Sequence, residues 1–191
     1  MAQSRELDRI GAFSDGVFAI AITLLILYVE VPDVSDSELP QAIRDLGGNL
    51  RAYAIGFAVI GLFWYGHHKL FSLLERSDGR LVLANLVLLG LIALMPFTTA
   101  VLGEYGEPLA VALYALNVGA ASLADGAVGL IAARNGLAAP GALDGPESGI
   151  AGAGFRAAVF FVSIPIAYLS PDLAPFVWLL LLLPLVVRSR G

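Results

Sequence analysis

Polar and ionisable residues stand inside the long apolar runs of this sequence. Those that could do chemistry include Asp15, His67, His68, Asn85, Asn117 and Asp125. Such groups are costly within a bilayer, so each is expected to face protein or water. Carboxylates and histidines together could relay protons, whereas single polar side chains form hydrogen bonds between helices worth about 0.6 kcal/mol per pair. The sequence leaves both interpretations open and favours hydrogen bonding for each residue taken singly.

The same residues give little basis for a metal site or an enzyme. His67 and His68 are adjacent, so on a helix they point to different faces and form no ready chelate. The sequence has no cysteine and therefore no thiolate ligand or nucleophile. It also lacks the G-x-S-x-G, H-E-x-x-H and Walker patterns, and it lacks a T-V-G-Y-G selectivity filter. We therefore expect no enzyme activity, no cofactor and no resident metal.

The composition is that of a membrane protein. Of 191 residues, 58% are hydrophobic and 14% are charged, and the mean hydropathy is +0.82. A soluble domain has about a quarter of its residues charged. The net charge of −5 argues against a nucleic-acid partner, because no basic surface is available to neutralise phosphates.

Six apolar stretches approach the roughly 20 residues that a helix needs to cross a bilayer. They are 13–31, 50–71, 81–102, 109–133, 155–169 and 173–187. The last two are short and contain Pro165, Pro175 and Pro184. A segment rich in Gly, Ala and Pro, 134–154, is predicted to be a cytoplasmic linker. The sequence therefore predicts one all-α integral membrane domain, 1–191, with six transmembrane helices.

The basic residues predict the orientation of these helices. With the N-terminus in the cytoplasm, only Arg44 and Arg51 of the 11 basic residues fall outside. The cytoplasmic set is Arg5, Arg9, Lys69, Arg76, Arg80, Arg134, Arg156, Arg188 and Arg190. The outer loops carry acidic residues instead: Glu30, Asp33, Asp36, Glu38, Asp45, Glu104, Glu107 and Asp172. This asymmetry predicts that the N- and C-termini are both cytoplasmic.

The first predicted helix has an apolar stripe. At about 100° per residue, seven residues share a face about 100° wide. They are Phe13, Gly16, Ile20, Thr23, Leu24, Leu27 and Val31. Periodicity alone favours a lipid-facing or packing surface. The alternative is a pore wall built from symmetry-related copies of the helix, in which rings of Ile and Leu form a hydrophobic constriction.

A family resemblance begins on the same helix. The run from Arg9 to Leu25 (R-I-G-A-F-S-D-G-V-F-A-I-A-I-T-L-L) resembles the R-x-x-x-F-S-D signature and following helix of the transmembrane protein 175 potassium channel family. Supporting matches are F-W-Y-G-H-H at 63–68 and the stretch from Asn85 through Pro96 and Phe97. The resemblance is dense over 9–27, looser to about Thr99, and weak beyond.

The resemblance implies a potassium-permeable channel. The short bacterial members of the family assemble as homotetramers in the cell membrane, with the first helix lining the pore. By resemblance, Ile20, Leu24 and Leu27 form the constriction, and Thr23 occupies a pore-facing position that affects cation preference. The expected partners are other copies of the chain, the lipid bilayer and permeant monovalent cations, chiefly K⁺. Selectivity for K⁺ over Na⁺ should be modest, because the pore lacks rings of carbonyl oxygens.

The signature residues are expected to support this helix. Arg9, Phe13, Ser14 and Asp15 fit a supporting role, and because Ser14 and Asp15 lie off the stripe we predict that these two bond to neighbouring helices. The candidate partners are Trp64, His67, His68 and Asn85. Arg9 extrapolates to the pore side, where an unpaired cation would repel K⁺, so we predict that it pairs with a nearby carboxylate.

Two other functions fit the sequence. A proton-coupled secondary transporter could use Asp15, Asp125 and the histidines. A membrane interaction protein that transports nothing would use every polar residue for helix packing. Proton permeability is also compatible with the channel itself, because animal members of the family show it.

Overall fold

The computed structural model describes residues 2–143, 150–171 and 173–182, and these residues are predominantly helical. The helices are α1 (Ala2–Leu24), α2 (Leu39–Asp45), α3 (Gly47–Ser72), α4 (Gly79–Tyr105), α5 (Pro108–Arg134), α6 (Ile150–Leu169) and α7 (Ala174–Val177). The chain continues from α1 as a 3₁₀ turn over Leu25–Tyr28, and from α7 as a 3₁₀ segment over Trp178–Leu182. The prediction of an all-α fold is confirmed for these residues.

Four candidate membrane spans are present in the described residues: α1 with its 3₁₀ turn, α4, α5 and α6 are each long and apolar enough to cross a bilayer. The α2 and α3 helices, bent by 46° at the break between them, make a fifth candidate if the pair counts as one span. Of the sixth predicted span, 173–187, residues 183–187 lie outside the described part of the chain. Asp172, Pro184, Arg188, Arg190 and the predicted cytoplasmic C-terminus lie outside it as well. The six-helix count stays a prediction.

The helix ends differ most from prediction at α1 and α6. The α1 helix begins at Ala2 rather than at 13, because the charged residues that precede the apolar run belong to the same helix. Its α-helical part ends at Leu24, and the chain has left helical geometry at Val29. The α6 helix begins at Ile150, inside the segment predicted as a linker. Hydropathy misses the charged start of α1, whereas the start of α6 is missed because its small residues, 150–154, have the composition of a linker.

The α5 helix lies at the centre of the chain and packs most extensively on α6 and α4. Small residues allow the close approach: a Cβ on Gly126 would lie 2.9 Å from Cβ of Ala153, and one on Gly119 would lie 2.6 Å from the ring of Phe161. The 3₁₀ segment after α7 docks here too, because the Trp178 Nε1–H donates to Ser163 Oγ at 3.0 Å. These helices form a compact scaffold.

Two polar contacts fix the scaffold. Arg156 of α6 forms an ion pair with the buried Asp125 of α5, and its guanidinium lies 5.4 Å from the ring centre of Phe63 on α3. At the N-terminal end of α4, Asp78 caps the helix by accepting from the Leu81 N–H at 2.8 Å, and it accepts from Asn135 Nδ2 at 2.6 Å. These hydrogen bonds lower the pKa of Asp78, because they stabilise its charged form.

Candidate pore-lining helix

The α1 helix is packed on one side only. Its buried side chains are Leu7, Ser14, Phe18 and Ala21, followed by Leu25 at the start of the 3₁₀ turn. They face α3 and α4, the two helices that α1 contacts. At about 100° per residue, this packed face is centred about 140° from the apolar stripe. The stripe therefore points away from the rest of the chain.

The stripe residues are accordingly exposed in the single chain. Ile20 is 62% exposed, Leu27 is 70% exposed and Leu24 is 39% exposed. Large exposed aliphatic side chains on a membrane helix face either lipid or another subunit. Their exposure is compatible with a pore wall and equally with a lipid-facing surface.

The 3₁₀ turn changes the register at the Leu27 end of the stripe. A 3₁₀ helix has three residues per turn and rises about 2.0 Å per residue. Residues three apart therefore lie in line, which brings Leu27 onto the same side as Leu24. In a continuing α-helix the two would be about 60° apart. The turn thus strengthens the alignment of the two leucines.

The hydroxyl group of Thr23 lies on the same side of α1 as the stripe. Its hydroxyl lies 2.9 Å from the carbonyl oxygens of both Ala19 and Ile20, so its proton is used within the helix. The lone pairs of the hydroxyl oxygen remain available on the exposed face. Thr23 is therefore the polar group that the stripe presents at this level.

A buried chain of hydrogen bonds joins α1 to α4 and α3. Ser14 Oγ donates to the Ile10 carbonyl at 2.9 Å and accepts from Asn85 Nδ2 at 3.0 Å. Asn85 Oδ1 in turn lies 2.9 Å from His67 Nε2. Because the amide nitrogen is used on Ser14, the amide oxygen accepts, and His67 carries a proton on Nε2. All three side chains are buried, which fixes the rotation of α1 about its axis.

Asp15 makes a second tie to α3. Its Oδ1 accepts from Trp64 Nε1 at 2.8 Å, and the Trp64 ring stacks on His68 with centroids 5.6 Å apart. The structure thus brings five of the predicted signature and partner residues into direct contact across helices. The functional role given to them stays a prediction.

Arg9 and Phe13 lie apart from these bonds. Both line a groove of about 290 Å³ together with Glu6 and Asn85, and both are exposed in the single chain. The described residues of one chain contain no ion pair to Arg9. The predicted carboxylate partner of Arg9 is therefore not found within the described part of this chain.

Sequence reasoning missed one ion pair. The partner of Asp125 is Arg156, which the charge pattern predicts only to lie on the cytoplasmic side; its position inside the predicted span 155–169 is the available signal. Four of the acidic residues predicted for the outer loops, Glu30, Asp33, Asp45 and Glu104, border an open cavity of about 950 Å³ beside Leu27. Within the described ranges, no three His, Asp or Glu side chains converge closely enough to hold a metal ion.

The family follows from comparison with known proteins. Residues 9–96 match the family described as the endosomal/lysosomal potassium channel TMEM175. The fold matches the crystal structure of a lysosomal potassium-selective channel TMEM175 homolog from Chamaesiphon minutus with a TM-score of 0.81. That match has 31% sequence identity and covers 98% of this chain and 100% of the other. The chain belongs to the TMEM175 family.

Curated relatives in the TMEM175 family match a shorter region. A potassium channel of Streptomyces collinus is 42% identical over 125 residues, which is 62% of this chain and 61% of that protein. The chicken protein named endosomal/lysosomal proton channel TMEM175 is 36% identical over 109 residues, covering 52% of this chain and 22% of that protein. The aligned part of this chain thus spans about three fifths of the bacterial relative and a fifth of the animal one.

Proposed function

We propose that this chain is one subunit of a homotetrameric potassium channel in the cell membrane of a bacterium. Four copies of α1 line a central pore, through which K⁺ moves passively down its electrochemical gradient. The observation that carries the proposal is the exposed apolar stripe opposite the packed face of α1. It occurs in a fold that matches a potassium-selective TMEM175 homolog over its full length. The names of the bacterial relatives point the same way.

In this proposal Ile20, Leu24 and Leu27 form stacked apolar rings. A narrow apolar ring excludes water unless it widens, so the rings act as a gate as well as a constriction. The Thr23 oxygen supplies a partial substitute for hydration between Ile20 and Leu24. Selectivity is modest, because K⁺ sheds water more readily than Na⁺ but no ring of carbonyl oxygens discriminates by coordination.

The polar ties of α1 keep the stripe aimed at the pore axis. Ser14 and Asp15 bond to α4 and α3 respectively, so the helix cannot rotate without breaking one tie or the other. The acidic residues around the outer cavity attract cations to the mouth of the pore, an effect that salt screens over about 10 Å at 0.1 M.

The test is potassium flux into liposomes that contain the purified protein, with the subunit number measured on the same sample. We expect a tetramer that carries K⁺ in the wild type. Leu27→Ala should raise the flux or reduce the preference for K⁺ over Na⁺, because it removes bulk from the outermost ring. Ile26→Ala is the matched control, since Ile26 is exposed on the adjacent position but lies off the stripe. A folded tetramer that carries no cation would overturn the proposal.

Proton conduction is a second candidate, and the name of the chicken relative is the observation that favours it. The same liposomes, loaded with a pH-sensitive dye, measure it directly. Proton flux that is linked stoichiometrically to a second solute would instead indicate a transporter. That outcome has little support from Asp125, which is ion-paired with Arg156, or from Asp15, which is bonded to Trp64.

A further inference from the structure

Three helices meet in a tight contact behind the outer end of α1. The residues are Gly56 on α3, Thr99 on α4 and Leu25, the first residue of the 3₁₀ turn. A Cβ on Gly56 would lie 2.9 Å from both Cγ2 and Oγ1 of Thr99 and 3.1 Å from Cδ2 of Leu25. Carbon atoms in ordinary contact stay about 3.5 Å or more apart, so a methyl group does not fit here without movement.

Thr99 contributes to this contact through steric fit and not through a hydrogen bond. Its Oγ1 is buried and makes no hydrogen bond within the described part of the chain. Thr99 is β-branched, so its side chain cannot easily rotate away from an added atom. Leu25 is only 2% exposed and has little room to yield. Steric fit therefore determines how closely α1 approaches α3 and α4 at this level.

The direction of any movement follows from the packing of α1. Leu25 belongs to the packed face, which lies about 140° from the stripe of Ile20 and Leu27. The α4 helix is held between α3 and α5, whereas the far side of α1 contacts nothing in the single chain. Widening the contact therefore displaces α1 toward the side on which the stripe lies.

We propose that the contact of Gly56, Thr99 and Leu25 sets the distance of the outer pore wall from the pore axis. Gly56 and Thr99 are then positioning residues that fix the width of the constriction at Leu24 and Leu27 without touching the ion. The inference rests on the proposed function, since it requires α1 to line a pore. The absence of a side chain at position 56 keeps the wall drawn back against α3 and α4.

Potassium flux through variants of this contact tests the proposal. Gly56→Ala should lower flux per tetramer about threefold or more, because the displaced leucines narrow the apolar ring. Gly61→Ala is the matched control: it adds the same methyl to the same helix, at a position with nothing within 4 Å. Thr99→Ala removes the two nearest of the three atoms that the methyl meets, so Gly56→Ala/Thr99→Ala should regain most of the wild-type flux. Thr99→Val keeps the shape and should leave flux unchanged.

A second readout does not depend on conduction. The chain has no cysteine, so Leu27→Cys introduces the only thiol of each subunit. Disulfide formation requires Cβ atoms about 4 Å apart and is steeply sensitive to distance. Cross-linking between subunits at Leu27→Cys should be faster with Gly56→Ala than without it, and should return to the starting rate when Thr99→Ala is added.

The outcomes separate this inference from the proposed function. If the wild type conducts and Gly56→Ala conducts equally well, or if Thr99→Ala fails to restore a reduced flux, the positioning role is wrong and the channel stands. If the wild-type tetramer carries no cation, the proposed function is wrong. Should Gly56→Ala fail to fold, Thr99→Ala alone decides: it makes room behind the helix, so flux should rise, and unchanged flux would overturn the inference.

Discussion

The first and fourth long helices of the chain, α1 and α5, differ in a way that hydropathy alone would misjudge. In their most apolar windows, α1 has a mean hydropathy of 2.2 with 22% of residues buried, and α5 has 1.5 with 56% buried. The more apolar helix is thus the more exposed one. In a membrane, an exposed helix face meets lipid or another subunit, whereas a face buried within the chain can be built from small and polar residues.

The two helices also use their polar residues differently. In α5, Asp125 holds α6 through Arg156, and the small residues Gly119 and Gly126 let α6 approach closely. In α1, Ser14 and Asp15 are bonded to supporting helices, while the opposite side of the helix is left uncovered. The region that matches the TMEM175 family, 9–96, covers most of α1 and α4 and all of α3, and it stops before α5. The scaffold and the proposed pore wall should therefore respond differently to substitution.

The largest loss of stability is expected from Arg156→Met. It leaves Asp125 buried without its partner, which costs about 3 kcal/mol, the low end for a buried pair because Arg156 is partly exposed. Thermal unfolding in detergent measures the loss. Arg134→Met, at the exposed end of α5, is the control and should change stability little. Equal effects of the two variants would show that the ion pair does not hold the scaffold.

The second-largest loss of stability is expected from Gly126→Ala. The added methyl meets Ala153 at 2.9 Å, so α5 and α6 must separate, at a cost of about 2 kcal/mol. Gly90→Ala adds the same group to α4 where nothing lies within 4 Å, and it should stabilise the helix by up to about 1 kcal/mol. Denaturation experiments should show that Gly126→Ala lowers the free energy of unfolding and that Gly90→Ala raises it. A stabilised Gly126→Ala would contradict the close packing described for α5.

Asn85→Ala probes the attachment of α1. It removes the bonds to Ser14 and His67, and two such bonds in a membrane are worth about 1 kcal/mol together. A double-mutant cycle with Ser14→Ala isolates the first bond, and a positive coupling energy is expected. Unlike the scaffold variants, Asn85→Ala should also change potassium flux per folded tetramer, because α1 gains freedom to rotate. Purely additive effects would mean that the bond contributes nothing to the position of α1.

The smallest effect on stability is expected on the stripe itself. Ile20→Ala should change the free energy of unfolding by no more than about 0.5 kcal/mol, since the side chain is exposed in the subunit, yet it should raise potassium flux severalfold. Val118→Ala on α5 should have the opposite effects. The residue is fully buried, so the free energy of unfolding should fall by about 2 kcal/mol, while potassium flux per folded tetramer is unchanged. A reversed pattern would remove the distinction between scaffold and pore wall.

Much of the fold could be predicted from the sequence, because long apolar runs in a membrane have few structural options. The 3₁₀ turn after Leu24 and the bend before Gly47 could not, since both depend on contacts between helices. Within the site, the off-stripe positions of Ser14 and Asp15 predicted bonds to other helices, and family resemblance supplied the set that contains Trp64 and Asn85. The contact between Gly56 and Thr99 left no sequence signal, because both are ordinary residues of apolar spans.

Thiol block of single-cysteine channels tests the pore wall most directly. The natural chain has no cysteine, so a positively charged thiol reagent reacts only where a cysteine is introduced and reachable. When the reagent is applied from the outer side, it should block the potassium current through Leu27→Cys. The current through Ile26→Cys should be unaffected, because Ile26 is exposed but lies off the stripe. Block at Ile26→Cys with none at Leu27→Cys would contradict a pore lined by this face of α1.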